Sequence, residues 1–297
     1  MRDVEMRIHR AEVMSAEDLT PSLRRIVLGG EGLADFESTG LGDEYVRVFL
    51  PDRGESEPRL PFPVGRGWEY PDGVAPAELR TYTVRRFHEQ RGEVTLDFVL
   101  HGGGVAATWA QEAKRGDVVG LNSPTGLYDA ADDLAWQLLV TDLTGMPAAL
   151  RILQQTPEHV CSRVVFEVPG PEHRWEKELP AGVDVTWMHG GNGVAPSRIE
   201  QAVRTAPRPD GPGYVWVVGE SRVLRAVRRY VRHELGLPAS AYKVVAYWTE
   251  RAEEWNARFA ALNDNTKSEL FEMWNAEDRD PEEIEDDYLE RLGALGL

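Results

Sequence analysis

Two rhythms of apolar and polar positions divide the chain. Up to about residue 121, short runs alternate with a period of two: Met6–Val13, Leu23–Leu28, Tyr45–Leu50, Arg80–Phe87, Val94–Leu100 and Val118–Leu121. Alternation of this kind buries one face of each strand, and the Gly, Pro and Asp residues between the runs mark turns. This half is therefore predicted to be an antiparallel β barrel. The stretch from Pro51 to Pro76 is rich in proline and glycine and reads as a loop, either a cover for a ligand or surface decoration. One helix interrupts the strands, from Ala106 to Ala113, directly after His101-Gly102-Gly103-Gly104.

From Trp136 onward the rhythm changes. Continuous apolar strands (Trp136–Thr141, Arg163–Val168, Val183–His189, Tyr214–Val218, Lys243–Trp248) alternate with helical stretches (Met146–Gln155, Ser197–Thr205, Arg222–Leu235). Strands apolar on both faces with intervening helices predict a doubly wound, parallel α/β sheet. Ligands of such sheets bind at the carboxyl ends of the strands. Those ends carry Asp142, Thr144, Gly219 and Glu220. No G-x-G-x-x-G fingerprint follows any strand; Gly190-Gly191-Asn192-Gly193 lies between a strand and a helix but has the wrong spacing.

The end of the chain reads as wholly helical. Trp255, Phe259 and Leu262 share one face, Thr266 and Glu269 suggest a capping box before Leu270, Met273 and Trp274, and Asp280-Pro281 opens a last helix with a stripe of Ile284, Tyr288 and Leu292. This tail is expected either to pack on the body or to form a lid over a nucleotide site. The expected division is a barrel over 1–130, an α/β domain over 131–250 and a helical extension over 251–297.

The formal net charge of -17 argues against a nucleic-acid partner, since phosphate backbones call for a basic field. A single cysteine, Cys161, excludes a disulfide framework and a four-cysteine cluster. The start of the chain is charged and alternating, without the apolar segment of a signal peptide, and no run reaches membrane-spanning length. A cytoplasmic location is expected.

Candidate chemistry concentrates at Arg80, Tyr82 and Thr83. An arginine fork suits a diphosphate, a flat aromatic face suits a ring system, and a hydroxyl suits a ring nitrogen, which together suit a flavin. Downstream, the glycines permit close backbone approach, and the start of the following helix offers free N–H groups and a positive dipole end to a phosphate.

The chain resembles the siderophore-interacting proteins, flavin-dependent ferric-siderophore reductases of the ferredoxin–NADP reductase-like superfamily, in their longer subgroup. The matching pieces are Arg80-Thr-Tyr-Thr-Val-Arg85, Asp97-Phe-Val-Leu-His101-Gly, Trp109-Ala110, Gly116-Asp117, Ser123-Pro124-Thr-Gly126, Asp142-Leu-Thr144 with Pro147-Ala148, Gly219-Glu220-Ser221 with Val223, Arg225 and Arg228-Arg229, and Tyr247-Trp248. The resemblance implies FAD on the barrel, along Arg80, Tyr82, Thr83 and Val99. His101 and the amides of Gly104, Val105, Ala106, Ala107 and Thr108 complete the implied phosphate site. NADH or NADPH is implied near Asp142, Thr144, Gly219 and Glu220. The family usually has Pro at Val105, Ser or Thr at Ala107, and often Arg at Thr249. Arg47 stands where the family commonly has a Lys near the siderophore; a solvent-facing strand charge is the plain alternative. The iron–sulfur branch of the relatives is excluded by the lone cysteine.

The implied chemistry is hydride transfer from NAD(P)H to FAD, then one-electron reduction of a siderophore-bound Fe(III) to Fe(II), with no protein partner required. Tyr82 and Thr83 are the side chains closest to a catalytic role, and no metal ligand is expected. His101 and His189 have plain structural alternatives. Arg222 and Arg225 are either contacts for a nucleotide 2′-phosphate or residues of a polar helix face. An anionic siderophore would need a local basic patch, drawn from Arg47, Arg85 or Arg86. A general NAD(P)H:flavin reductase feeding a protein partner and a non-catalytic siderophore-binding protein are the alternative functions.

Overall fold

A computed structural model describes residues 4–65, 67–101, 103–273 and 281–297. Six antiparallel strands close into a barrel: β1 (Ile8–Thr20), β2 (Leu23–Gly29), β3 (Tyr45–Leu50), β6 (Glu78–His88), β7 (Glu93–Val99) and β8 (Val118–Asn122). Their order is β1-β2-β7-β6-β3-β8, and β8 pairs back to β1. The alternation in the sequence becomes a filled interior of Val13, Ile26, Leu28, Val46, Val48, Val84, Val94, Leu96 and Leu121. The stretch read as a loop contains a small hairpin, β4 (Phe62–Val64) and β5 (Gly67–Glu69). It packs back on the barrel, with Trp68 edge-on to Phe49 at 5.5 Å. The helix α1 (Val105–Glu112) buries Ala106 and Ala110 against the same interior.

The second sheet is parallel, in the order β11 (Asp184–His189), β10 (Cys161–Val168), β9 (Trp136–Thr141), β12 (Gly213–Glu220) and β13 (Tyr242–Trp248). Helices α2 (Met146–Gln155), α3 (Ile199–Thr205) and α4 (Ser221–Arg229) connect its strands. Two apolar layers result, one around Leu139, Phe166 and Trp216, the other around Leu138, Val140 and Val217. Cys161 opens β10 and is exposed rather than part of its apolar interior.

The tail forms α5 (Ala252–Ala260), α6 (Asp264–Glu272) and α7 (Pro281–Ala294). The expected stripes cluster around Leu270, Leu292 and Leu297, with Trp255 stacked on Phe259 at 5.2 Å. The cap of α6 is Asn263, whose side chain accepts from the amide of Thr266 at 2.8 Å. Thr266 thus lies inside the helix, a turn later than its capping-box reading required, because Asn is the stronger cap and comes first. Trp274 and Asp280 lie outside the described residues. The tail sits on α4: Asp286 faces Arg228, Arg232 and His233, and Arg225 donates to the Leu297 carbonyl at 3.1 Å. Among the described residues no helix is long and apolar enough to cross a membrane.

Candidate functional site

The strand period divides the Arg80 stretch between two faces. Arg80 pairs in register with Val48 and Tyr82 with Val46, on the side of the barrel interior. Thr81 and Thr83 pair with Arg47 and Tyr45, on the opposite side. Arg80 is exposed; one guanidinium nitrogen donates to its neighbour's carbonyl, that of Leu79, at 2.7 Å, and it forms an ion pair with Glu78. The Tyr82 ring rests against Phe98 at 4.1 Å, and Phe98 rests against Trp109 of α1 at 5.5 Å. Burial pushes the Tyr82 phenol upward, only partly offset by the Arg80 charge, so it stays neutral.

The loop before α1 brings backbone amides near this strand. Gly103 and Gly104 have φ of 81° and 108°, which side-chain-bearing residues rarely adopt. A Cβ on Gly104 would stand 2.9 Å from Cε1 of His101, so the imidazole lies close over the loop. Gly102 lies outside the described residues. No side chain caps α1, so its first N–H groups are left for another acceptor. Within the expected amide run, Val105 and Thr108 are exposed, whereas Ala106 and Ala107 are buried.

Arg47 lies on the outer side of β3, its guanidinium over the Trp68 ring at 5.2 Å. The hairpin that the sequence left as a loop therefore holds this arginine in place. Arg85 and Arg86 lie elsewhere, against β2 and β7, so the candidates for the basic patch, Arg47, Arg85 or Arg86, fall in two separate places.

A seam joins barrel and α/β sheet. Thr83 is buried, with its hydroxyl beside Tyr247 of β13. Val99 packs with Leu23 into the cluster that holds Leu143 and Met146. Asp43, fully buried before β3, accepts from the amides of Leu127 and Tyr128 at 2.8 Å and from Trp216 Nε1 at 3.2 Å. Arg151 of α2 pairs with Glu44 at 2.8 Å and donates to the Val84 carbonyl. Arg25 on β2 is shared by Asp97 and Glu178 at 2.7 and 2.6 Å.

At the carboxyl ends of the parallel strands, Asp142 is the centre. It accepts from the amide and hydroxyl of Thr144 at 2.9 and 2.6 Å and from Trp248 Nε1 at 2.6 Å. Gly145 and Gly219 permit this packing. A Cβ on Gly145 would stand 2.1 Å from Thr141 Oγ1, and one on Gly219 2.8 Å from Asp142 Oδ2. Asn192, in the glycine-rich turn after β11, has φ of 55° and accepts from the Leu143 amide at 3.0 Å, which joins that turn to the one after β9. Glu167 is fully buried and spends its carboxylate on Ser197 and on the Arg198 amide, both at 2.6 Å. Glu220 caps α4 by accepting from the amides of Arg222 and Val223, at 2.8 and 3.2 Å. His189 is engaged by Arg174 at 3.0 Å. Of the two expected phosphate contacts, Arg225 is turned to the end of the chain, while Arg222 remains at the start of α4 with Arg251 and Arg258 nearby.

Sequence reasoning missed Trp248 and Asn192 as members of this crest. The signals were present: an aromatic at the end of the last strand, and an Asn among glycines, the residue type that tolerates a left-handed backbone.

Comparison with known proteins follows the same division. Residues 12–128 match the model of the siderophore-interacting FAD-binding domain, and residues 134–251 match that of the siderophore-interacting protein. An uncharacterized Mycobacterium tuberculosis protein is 33% identical over 83% of this chain and 92% of its own length. The NADPH-dependent ferric-chelate reductase of Escherichia coli is 29% identical over 82% of this chain and 94% of its own. The crystal structure of a siderophore utilization protein from T. fusca superposes with a TM-score of 0.75 at 29% identity, covering 84% of this chain and 95% of that one.

Proposed function

This chain belongs to the siderophore-interacting protein family, and from that premise we propose that it is an FAD-dependent ferric-siderophore reductase supplied by NADH or NADPH. Its main support is the approach of the Arg80–Thr83 strand to the strand-end crest around Asp142, where Thr83 lies beside Tyr247, together with an uncapped start of α1 that leaves amides for an anion.

The residues present fit an FAD. Arg80 is exposed and retains donors for a diphosphate, and the amides from Gly104 to Ala107 with His101 complete that anion site; the expected Thr108 amide is spent on the Gly104 carbonyl at 3.0 Å, as the first intrahelical bond of α1. Tyr82 and Thr83, from the two faces of the strand end, would hold the flavin ring system, with Val99 nearby. Bound FAD would accept a hydride and pass electrons on singly, converting oxygen-liganded Fe(III) to a more weakly held Fe(II). Tyr82 would supply a neutral face that excludes water, and Thr83 a hydroxyl beside Tyr247. Neither moves a proton in the iron step.

Asp142 and Thr144 shape the NAD(P)H site rather than offering a free carboxylate, because Trp248 and Thr144 already take its oxygens. Gly219 leaves room for the nucleotide beside them. Glu220 positions α4 and fills its N-terminus, so a nucleotide phosphate is directed toward the turn after β9 instead. Arg47, held on Trp68, is the proposed contact for the ferric siderophore. The FAD half spans 1–130, the nucleotide half 131–250 and the extension 251–297. No protein partner is required, and the cytoplasm, where NAD(P)H is regenerated, is the proposed location.

The test is NAD(P)H-driven release of Fe(II) from ferric siderophores, trapped by a ferrous chelator, with FAD-loaded protein. The expected result is Fe(II) formation that depends on protein, flavin and nucleotide together. Flavin reduction without response to any ferric chelate would point instead to a protein electron acceptor.

A further inference from the structure

A bulge in β6 builds a second basic site, apart from Arg80 and Tyr82. Val84 pairs with Leu96 and Arg86 with Thr95, so Arg85 is an extra residue. In a regular, unbulged strand the two-residue period would turn Arg86 inward, as it turns Val84. With the bulge, Arg85 and Arg86 both stand on the outer face of the barrel. There they border a cavity of about 190 Å³ together with Arg25, Arg91, Glu93 and Glu178. Glu178 comes from the segment after β10, so the cavity lies where the α/β half meets the barrel.

Four guanidinium groups in this wall face two carboxylates, in a chain of net charge -17. Arg25 is engaged by Glu178 and by Asp97 behind it. Arg85 is 2% exposed and gives its terminal nitrogens to Gln154 and Glu178 at 3.0 and 2.8 Å. Its buried Nε has no hydrogen-bond partner. Arg91 reaches Glu93 only at 3.7 Å, and Arg86 has no ion pair among the described residues. An orphaned buried donor flanked by arginines with spare donors calls for an acceptor carrying negative charge. The cavity is smaller than the roughly 300 Å³ at which sites for drug-sized ligands begin, so neither a dinucleotide nor a siderophore fits.

We propose that this cavity binds a small doubly charged oxyanion, phosphate or the phosphate group of a small ester, held by Arg85, Arg86 and Arg91 against the seam. The site is independent of the flavin chemistry. Its occupant would tie barrel arginines together beside a carboxylate of the other half.

The experiment titrates inorganic phosphate into the purified full-length protein at constant ionic strength, with chloride as the balancing anion, followed by calorimetry and by thermal unfolding. Wild type is expected to bind saturably and to melt higher. The double variant Arg86→Ala/Arg91→Ala, at two exposed positions, is expected to lose about tenfold or more in affinity, as two charge-assisted contacts predict. Glu93→Gln, which removes an opposing charge, is expected to bind more tightly, and Arg115→Ala, an exposed arginine elsewhere, to bind as wild type does. Absence of saturable binding to wild type, or equal binding by the double variant, overturns the proposal. Glycerol 3-phosphate distinguishes the sources: tighter binding than phosphate supports the site with an ester as its ligand, and weaker binding supports it with the free ion.

Discussion

Trp248 and Asp142 meet across the top of the parallel sheet, the indole Nε1 donating to the carboxylate Oδ2 at 2.6 Å. This bond closes the end of β13 over the turn after β9. Asp142 is 2% exposed, and burial pushes its carboxyl up to about 6 although Thr144 and Trp248 both pull it down.

A pH dependence follows. The folded protein holds the Asp142 proton more tightly than the unfolded chain, whose carboxyl titrates near 3.8. Stability is therefore lost as pH rises from about 4 to about 6 and is level above that window. Asp142→Asn keeps one acceptor oxygen for the cap of Thr144, loses the one that Trp248 Nε1 donates to, and cannot ionise, so its Tm is offset from wild type at every pH. Its Tm relative to wild type should rise by roughly a few degrees across the window. Parallel Tm curves for the two proteins would contradict the assignment.

Glu178 behaves in the opposite sense. Burial pushes its carboxyl up, but Arg25 and Arg85 outweigh that and hold it at about 2. Its contribution is present above its ordinary value of 4.5 and is lost as pH falls toward about 2. Glu178→Gln should cost about 1.5–3 kcal/mol at pH 7, the range of charged hydrogen bonds. In urea unfolding, that cost should shrink steadily below pH 4.5. A cost independent of pH would mean that packing, rather than charge, holds this segment.

Gly145, in the turn after β9, lies directly over the adjacent strands β9 and β12. An added Cβ would meet Val218 Cγ2 at 2.2 Å and Thr141 Oγ1 at 2.1 Å, and both neighbours are buried in strands. Gly145→Ala should therefore cost about 1–3 kcal/mol by overpacking and weaken nucleotide binding, while FAD content stays unchanged. Unchanged stability would show that the turn lifts off the two strands more readily than its packing implies.

The two halves were legible because each rests on a period: two in the barrel, and apolar strands alternating with helices in the sheet. Where one extra residue or one early cap decides, the period is silent. The bulge at Arg85 follows from pairing with β7, and the hairpin around Trp68 from its contacts with Phe49 and Arg47. Neither leaves a mark in local composition. The candidate site was legible strand by strand but not across the seam. Thr83 reads in the sequence as a residue that serves a ligand; its place beside Tyr247, 164 positions away, depends on the docking of the two halves. Asn263 was overlooked as a cap because Thr266 and Glu269 also match the pattern, displaced by one turn.

Arg80 is exposed and, among the described residues, pairs with Glu78 alone, so its removal should not disturb the fold. Arg80→Ala should weaken FAD binding by about 10- to 100-fold, the value of one or two charge-assisted hydrogen bonds, with the Tm of the flavin-free protein unchanged. Wild-type FAD affinity in this variant would remove Arg80 from the diphosphate site.

The most direct measurement is anaerobic reduction of FAD-loaded protein by NADH or NADPH, followed at the flavin absorption band, with a ferric siderophore then added. Bleaching by nucleotide, then recovery of the oxidised band in step with Fe(II) captured by a chelator, is the predicted result. A flavin that bleaches and stays reduced in the presence of ferric siderophores, or a protein that takes up no FAD, would contradict the proposed reductase.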